Sequence, residues 1–174
     1  MKNAFLLSGE PGSGKTTVIK EVLRRVGSSA GGFYTDEIRR EGAREGFRIV
    51  TLDGEEAVLA HISIRGPHRV SKYGVDVDSL DKVAVAAVRA AVRTRDIVVI
   101  DEIGKMELFS VRFREAVTEA LESGKKVLGT IMLASHPWAD ATKRRPGVEV
   151  VLVTRANRGS VVERVLEWLE SGSL

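Results

Sequence analysis

Short apolar runs alternate along the chain with longer segments in which apolar residues recur at helical spacing. An apolar run at residues 4–7 precedes a helix, which we predict to end near Gly27 and to bury Val18, Ile19, Val22, Leu23 and Val26. The same patterns predict later strands at residues 97–102, 126–131 and 149–153. They also predict helices from Asp78, from Ser110 to Gly124, across residues 138–143 and from about Gly159. Strands separated by helices indicate a parallel sheet covered by helices.

The region between the first helix and Asp78 departs from this alternation. Residues 31–38, 46–52 and 56–64 have the composition of strands, and Asp53 with Gly54 forms a hairpin signal between two of them. Turn formers and charges at residues 66–76 predict a loop. We therefore expect one α/β domain across residues 1–174, with a mostly parallel, helix-covered sheet and an antiparallel meander inserted at about residues 31–64.

A glycine-rich segment joins the first strand to the first helix and fits the phosphate-binding pattern G-x-x-x-x-G-K-[ST]. Its residues are Gly9, Glu10, Pro11, Gly12, Ser13, Gly14, Lys15, Thr16 and Thr17. The glycines permit turns that point successive N–H groups at an anion, and the helix dipole adds positive potential. In this pattern Lys15 reaches the β- and γ-phosphates, and the Thr16 hydroxyl is a Mg²⁺ ligand. The segment predicts a site for a nucleoside triphosphate, with Mg²⁺ as cofactor.

Two acids, Asp101 and Glu102, follow the β-branched run at residues 97–100. Because ligands bind at the carboxyl edge of a parallel sheet, we expect these acids to meet the phosphate-binding segment. Asp101 is the candidate for a second Mg²⁺ contact, directly or through water. Some P-loop enzymes orient the attacking water with Gln, but this chain contains none, so Glu102 is the leading candidate for the general base. A helix cap or a surface salt bridge is the alternative role for such a pair.

Three further residues are candidates for nucleotide contacts. Lys105 follows the two acids at the same edge, although a lysine after a strand is commonly a solvated surface group. Arg145, or its neighbour Arg144, offers a cation for the transition state, but this basic cluster precedes the last strand and belongs at its entry edge unless the loop folds back. Asn157 follows the last strand at the edge expected for a base pocket, with capping of the final helix as its alternative role.

Composition excludes several classes of protein. The chain has no Cys, which rules out disulfides and thiol nucleophiles and suits a reducing compartment, so we expect a cytoplasmic protein. No apolar run approaches the ~18 residues of a membrane span. A net charge of +3 with 29% charged residues does not call for nucleic acid, without excluding it as a partner. The absence of Gln and Cys, with only two Asn residues, predicts a heat-adapted protein.

With these residues in hand, the chain resembles the nucleoside-triphosphatase family first described from thermophiles and also known as the cancer-related nucleoside triphosphatases. The resemblance covers nearly the whole chain, and its specific signs are residues 101–107 and residues 72–75. It implies a RecA-like or kinase-like P-loop fold. It also implies Mg²⁺-dependent hydrolysis of ATP, GTP and other nucleoside triphosphates, including CTP and UTP, to the diphosphate and phosphate. We expect residues 72–75 to be a nucleotide-responsive segment, and we favour a monomer.

Two other functions stay open. A nucleotide or small-molecule kinase would use Glu102 or Asp101 to activate an acceptor hydroxyl in place of water. A nucleotide-dependent switch or nucleic-acid ATPase would show slow intrinsic turnover that RNA, DNA or a protein partner stimulates. Phosphate release without an acceptor favours the hydrolase, whereas transfer to a nucleoside or metabolite favours the kinase.

Overall fold

The computed structural model describes residues 2–172. Its strands are β1 (Ala4–Ser8), β2 (Ala30–Arg40), β3 (Ala43–Thr51), β4 (Glu56–His61), β5 (Arg69–Val70), β6 (Tyr73–Val75), β7 (Ile97–Ile103), β8 (Lys126–Ile131) and β9 (Val148–Leu152). Its helices are α1 (Lys15–Val26), α2 (Val77–Ser79), α3 (Ala86–Thr94), α4 (Val111–Glu122), α5 (Pro137–Lys143) and α6 (Arg158–Glu170). Short 3₁₀ turns lie at Gly27–Ser29 and Glu107–Phe109, and a π-helical stretch, Leu80–Val85, joins α2 to α3.

The strands form one sheet in the order β5-β6-β4-β3-β2-β7-β8-β1-β9. Strands β2, β7, β8, β1 and β9 run parallel to their neighbours, which confirms the predicted α/β class. The predicted meander continues this sheet through β2, whose residues 30–33 pair with β7 while residues 33–40 pair with antiparallel β3. Beyond Phe33, β2 has no partner in β7, so the hairpin of β2 and β3 extends past the carboxyl ends of the parallel strands.

Residues 66–76 differ from the predicted loop, because β5 and β6 form a short hairpin there. Arg69 pairs with Gly74 and Val70 with Tyr73, and β6 also pairs with β4. Gly74 lets the chains approach closely, since a Cβ at this position would collide with the carbonyl oxygen of Ile64. Strands of two and three residues are too short to show a hydrophobic period, which explains why the pattern indicated a loop.

The central strands bury both of their faces. In β1, Ala4 and Leu6 belong to the cluster beneath α3 and α4, whereas Phe5 and Leu7 belong to the cluster beneath α1 and α6. Because these interior positions are apolar on both faces, the polar groups that could carry chemistry lie where the strands end. The sheet therefore places its chemistry at an edge.

Two helical features refine the predicted elements. Gly27 ends α1 as expected, with its N–H donated to the carbonyl of Leu23. The helix predicted from Asp78 contains the π-helical stretch, which adds a residue to the local turn and brings Val85 into the core beside Leu80 and Ala84. Within residues 2–172, no helix combines the length and the apolar character that a membrane span requires.

Candidate active site

The phosphate-binding segment forms a glycine-rich loop between the end of β1 and the start of α1. Gly9, Gly12 and Gly14 have φ angles of 152°, 76° and 99°, in the region that favours glycine. Gly9 is also required by space, because a Cβ there would lie 2.5 Å from the carbonyl oxygen of Val153. The loop thus takes the strand–loop–helix form that the sequence pattern predicts, and the helix N-terminus faces its interior.

Lys15 and Thr16 extend from the first turn of α1. The Lys15 ammonium donates to the carbonyl oxygens of Gly9 at 2.8 Å and Glu10 at 3.1 Å, which holds it against the loop. The Thr16 hydroxyl donates to Oδ2 of Asp101 at 2.9 Å. The structure therefore brings the phosphate loop and the end of β7 together, as the parallel sheet led us to expect.

Asp101 is fixed from two sides. Strand β8 lies between β1 and β7, and from its end the Thr130 hydroxyl donates to Oδ1 of Asp101 at 2.6 Å. The carboxyl group is only 1% exposed. Burial raises its pKa, while the hydrogen bonds from Thr130 and Thr16 and the charge of Lys15 act in the opposite direction. A bound cation would favour the ionised form further.

The pair of Thr16 and Asp101 fits a small hard cation. Mg²⁺ prefers oxygen ligands at about 2.0–2.1 Å in octahedral geometry, so two neighbouring ligand oxygens lie about 3.0 Å apart. The two side-chain oxygens are separated by 2.9 Å. Threonine hydroxyl and aspartate carboxylate are therefore suitable in both chemistry and spacing to contact one Mg²⁺, with water and phosphate oxygens completing its shell.

Two further carboxyl groups, those of Glu102 and Glu107, lie at the end of β7 or just after it. Burial raises the pKa of Glu102, and the neighbouring Asp101 raises it further, whereas Lys15 lowers it. Gly104 leaves room for the Glu102 side chain, because a Cβ at this position would collide with its carboxyl oxygen. Glu107 is 4% exposed and accepts the N–H of Gly104 at 3.2 Å. Burial, followed by the charge of Glu102, raises the pKa of Glu107 well above its ordinary value.

A cleft of about 600 Å³ joins the phosphate loop to these acids and continues towards the β2–β3 hairpin. On the loop side it is lined by Pro11, Gly12, Gly14, Lys15, Thr16 and Thr17. On the far side its lining includes Arg44, Phe47, Leu59, Val70 and Met106. The size is typical of a small-molecule site, and Glu102 lines the cleft together with the loop residues.

The other predicted contacts at this edge are Lys105, Glu10, Ser13 and Asn157, and they differ in how they meet the cleft. Lys105 is exposed and lines the cleft beside Glu102. Glu10 and Ser13 line an adjoining recess of about 390 Å³. Asn157 lies at the expected edge, but both ends of its amide are used within its own loop, since Oδ1 accepts from the Thr154 N–H and Nδ2 donates to the Leu152 carbonyl.

Arg145 does not lie at the cleft. It precedes β9, at the opposite edge of the sheet, where its guanidinium pairs with Glu122 at 2.6 Å. The adjacent Gly147 carbonyl accepts the N–H groups of Asn3 and Ala4 at the start of β1, which fixes this loop at the amino edge. The loop does not fold back, so the predicted contact between Arg145 and the nucleotide has no geometric support.

Thr130 and Arg158 are among the residues at the site that were not predicted as contacts. Thr130 carries a sequence signal, because it is the one hydroxyl residue of a strand that is otherwise apolar or glycine after Lys126. Arg158, the first residue of α6, lines the cleft at the phosphate loop. Its position after the last strand, at the same edge as the phosphate loop, could have indicated a nucleotide contact. In this segment, Asn157 is the residue that the sequence led us to choose for that role.

Residues 72–75 contact the cleft indirectly. The Tyr73 hydroxyl accepts from Nε of Arg44 at 2.9 Å, and Arg44 also donates to Glu37 at 3.2 Å. These contacts fix the guanidinium of Arg44 at the far end of the cleft. A response of this segment to nucleotide stays a prediction.

A parallel sheet with a glycine-rich loop, a following helix and an acidic strand end defines the class of P-loop nucleotide-binding proteins. A family model described as NTPase matches residues 4–166. The chain belongs to this NTPase family, as its resemblance to the nucleoside triphosphatases indicated.

Similar proteins extend over nearly the full chain. A nucleoside-triphosphatase THEP1 from Thermotoga sp. (strain RQ2) is 44% identical over 166 residues, or 95% of each chain. The THEP1 crystal structure from the hyperthermophile Aquifex aeolicus has a TM-score of 0.87 and 36% identity, covering 96% of this chain and 99% of that one. The solution structure of a human cancer-related nucleoside triphosphatase has a TM-score of 0.83 and 35% identity, covering 100% of both chains. The predicted P-loop fold is therefore confirmed.

Proposed function

We propose that this member of the NTPase family hydrolyses nucleoside 5′-triphosphates to the diphosphate and phosphate, with Mg²⁺ as cofactor and Glu102 as general base. The observation that carries the proposal is that Glu102 lines the same cleft as the phosphate loop and follows Asp101 of the Thr16–Asp101 pair in the chain. Its raised pKa suits a carboxylate that must accept a proton from water.

In the proposed reaction, Glu102 orients a water molecule towards the γ-phosphorus and accepts its proton. The water oxygen forms a bond to phosphorus, and the bond from phosphorus to the β,γ-bridging oxygen breaks, so the nucleoside diphosphate leaves. Lys15 and the N–H groups of the loop hold the phosphate oxygens and stabilise the charge that accumulates on them. Thr16 and Asp101 would hold Mg²⁺, which when bound would neutralise negative charge on the phosphates.

The proposed substrates include ATP, GTP, CTP and UTP. The residues assigned to chemistry all act on phosphate, cation or water, and these groups are common to the four nucleotides. Asn157 is held within its own loop, since its Oδ1 accepts from Thr154 and one amide N–H donates to Leu152. Broad substrate use follows from a site that recognises what the nucleotides share.

A phosphate-release assay across the four nucleotides tests the proposal. We expect release from each nucleotide with Mg²⁺, no release after chelation with EDTA, and recovery when Mg²⁺ is restored. RNA is added in a parallel arm, because a nucleic-acid ATPase would be strongly stimulated by it. If none of the four nucleotides releases phosphate with Mg²⁺ present, the proposal is wrong.

A second candidate function is phosphoryl transfer to a hydroxyl compound, which the far end of the cleft favours. Phe47, Leu59 and Met106 add apolar groups, which phosphate and Mg²⁺ do not require, to a lining that also contains charged residues of the hairpin. A hydroxyl held there would take the place of water near Glu102, which would accept its proton as the γ-phosphoryl group moves to its oxygen. Incubation of γ-labelled ATP with nucleosides separates the two functions, since label appears in a nucleoside monophosphate only if transfer occurs.

A further inference from the structure

Arg158 lies across the phosphate loop. A Cβ placed on Gly14 would collide with Cδ of Arg158 and would lie 3.0 Å from Nη1 and 3.2 Å from Nε. The aliphatic stem and the guanidinium therefore both contact the loop at Gly14. The same side chain lines the cleft together with Gly12 and Thr17.

The guanidinium of Arg158 is not neutralised by a nearby acid. Within residues 2–172 it forms no ion pair, whereas Arg164 on the same helix pairs with Glu149 and Arg25 pairs with Glu163. Arg158 is nevertheless only partly exposed, because it packs against the loop. A planar cation held in this way, with no carboxylate partner, is free to contact a ligand.

The strand order places Arg158 at the end of the site away from Glu102. The acids follow β7, and β7, β8, β1 and β9 are successive neighbours in the sheet. The γ-phosphate must face the acids, since the Thr16–Asp101 pair and Glu102 lie on that side. The sugar and base of a nucleotide bound to the loop therefore extend towards the segment after β9, where Arg158 begins α6.

Few other groups in that segment suit a base. Residues 154–159 contain no aromatic side chain. Asn157 is anchored to Thr154 and Leu152 through Oδ1 and one amide N–H, which holds its side chain within its own loop. Arginine stacks on aromatic faces, and this segment carries two arginines. Arg158 contacts the loop at Gly14 and lines the cleft, whereas Arg155 lines the adjoining recess, so the flat guanidinium of Arg158 is the one placed to meet a base in the cleft.

We propose that Arg158 is the platform for the nucleobase, and that its guanidinium stacks on the face of any purine or pyrimidine. This inference rests on the proposed binding of nucleoside triphosphates at the loop. Stacking on a face is tolerant of base identity because every base has a π-face. Arg158 therefore supplies affinity for nucleotides without selecting one of the four.

The test compares ATP and CTP with inorganic tripolyphosphate, which has the phosphates but no base. Dissociation constants for all three are measured by calorimetry for the wild type, Arg158→Ala, Arg158→Lys and the control Arg155→Ala. We expect Arg158→Ala to weaken ATP and CTP about tenfold, the scale of one base stack, and to leave tripolyphosphate unchanged. Arg158→Lys keeps the charge but not the plane, so it should resemble Arg158→Ala. Arg155 is exposed in the same segment and lines the adjoining recess but not the cleft, so its loss should change none of the three constants.

Two outcomes overturn the platform. If Arg158→Ala weakens the binding of ATP and of tripolyphosphate equally, Arg158 is a phosphate contact. If Arg158→Lys binds ATP with wild-type affinity, only the charge of Arg158 matters. Because binding is measured directly, the result does not depend on turnover. A wild type that binds ATP without releasing phosphate would contradict the proposed hydrolysis while leaving the platform to be judged from the variants.

Discussion

The two halves of the sheet carry their charges differently. In the parallel half, formed by β2, β7, β8, β1 and β9, Asp101 and Glu107 are almost fully buried at the end of β7 or just after it. In the antiparallel half, the hairpin of β2 and β3 carries Glu37 in ion pairs with Arg39 and Arg44, whose side chains are each more than a third exposed. One half thus isolates carboxyl groups from water, and the other leaves its charges in contact with water.

This difference indicates where function is concentrated. Removing a charged group from water costs several kcal/mol, so buried carboxyl groups are maintained only where protein or ligand groups compensate for their burial. An exposed ion pair contributes about 0–1 kcal/mol to folding and requires no such compensation. Substitutions in the parallel half should therefore alter chemistry or pH dependence, and those in the hairpin should have small effects on stability.

Replacing Glu102 with Gln should have the largest effect. The amide keeps the shape of the side chain but cannot accept the proton of water, so kcat should fall by about 10²–10⁴-fold. ATP affinity should stay close to that of the wild type, because the loop contacts are unchanged. Steady-state phosphate release and calorimetric binding give the two quantities.

The matched control for this variant is Glu55→Gln, which removes an exposed acid next to the β3–β4 turn. It should turn over at the wild-type rate. A near-normal kcat in Glu102→Gln would contradict the assignment of Glu102 as the general base. It would also contradict the proposed functional difference between the two halves of the sheet.

Thr130→Val tests whether β8 supports the acidic end of β7. Valine keeps the shape but removes the donor to Asp101 Oδ1, leaving a buried carboxyl oxygen without this hydrogen bond. We expect a loss of about 1–3 kcal/mol in the free energy of unfolding. We also expect half-maximal turnover to require a higher Mg²⁺ concentration. Denaturant unfolding measures the first effect. Thr94→Val, at an exposed hydroxyl that bonds only its own helix, should lose far less.

Glu107→Gln tests the buried acid through pH. Because the pKa of Glu107 is raised well above its ordinary value of 4.5, the folded state binds this proton more tightly than the unfolded state does. This stabilisation is complete below pH 4.5 and is lost as pH rises towards the folded pKa, with a limiting slope of about 1.4 kcal/mol per pH unit. In denaturant unfolding, the variant should lose stability less steeply than the wild type as pH rises above 4.5. An unchanged slope would show that Glu107 does not hold the proton.

Glu37→Gln should have the smallest effect. Partial burial raises the pKa of Glu37, but the hydrogen bonds from Arg39 and Arg44 outweigh this and lower it, so its contribution is lost as pH falls. Because the groups are well exposed, we expect a loss below about 1 kcal/mol, and less at high salt. Thermal unfolding at two salt concentrations measures it. A loss above about 2 kcal/mol would mean that the hairpin charges matter as much as the buried ones.

The sequence was most informative where chemistry demands a fixed local pattern. The phosphate loop was readable because Gly9, Gly12 and Gly14 must take backbone conformations that other residues resist. The meeting of Thr16 with Asp101 followed from the rule that parallel strands present their carboxyl ends at one edge.

Other features depend on contacts between distant parts of the chain. Arg145 was assigned to the nucleotide by its charge, but the start of β1 holds its loop at the other edge. The burial of Glu107 depends on how the turn after β7 folds back to Gly104, which no periodicity shows. Arg158 meets Gly14 only because β9 lies beside β1 in the sheet.

The position of β1 between β8 and β9 also has a consequence during synthesis. β1 emerges from the ribosome before either partner, and its pairs begin at Val127 and Val148. At about 5–20 residues per second, roughly 7–30 s pass before both partners have been made. During this time Phe5 and Leu7 lack their final neighbours, and the loop lacks the strand order that aligns it with Asp101 and Arg158. A chain that stops before β9 leaves β1 with one open edge, and we expect it to aggregate instead of binding nucleotide.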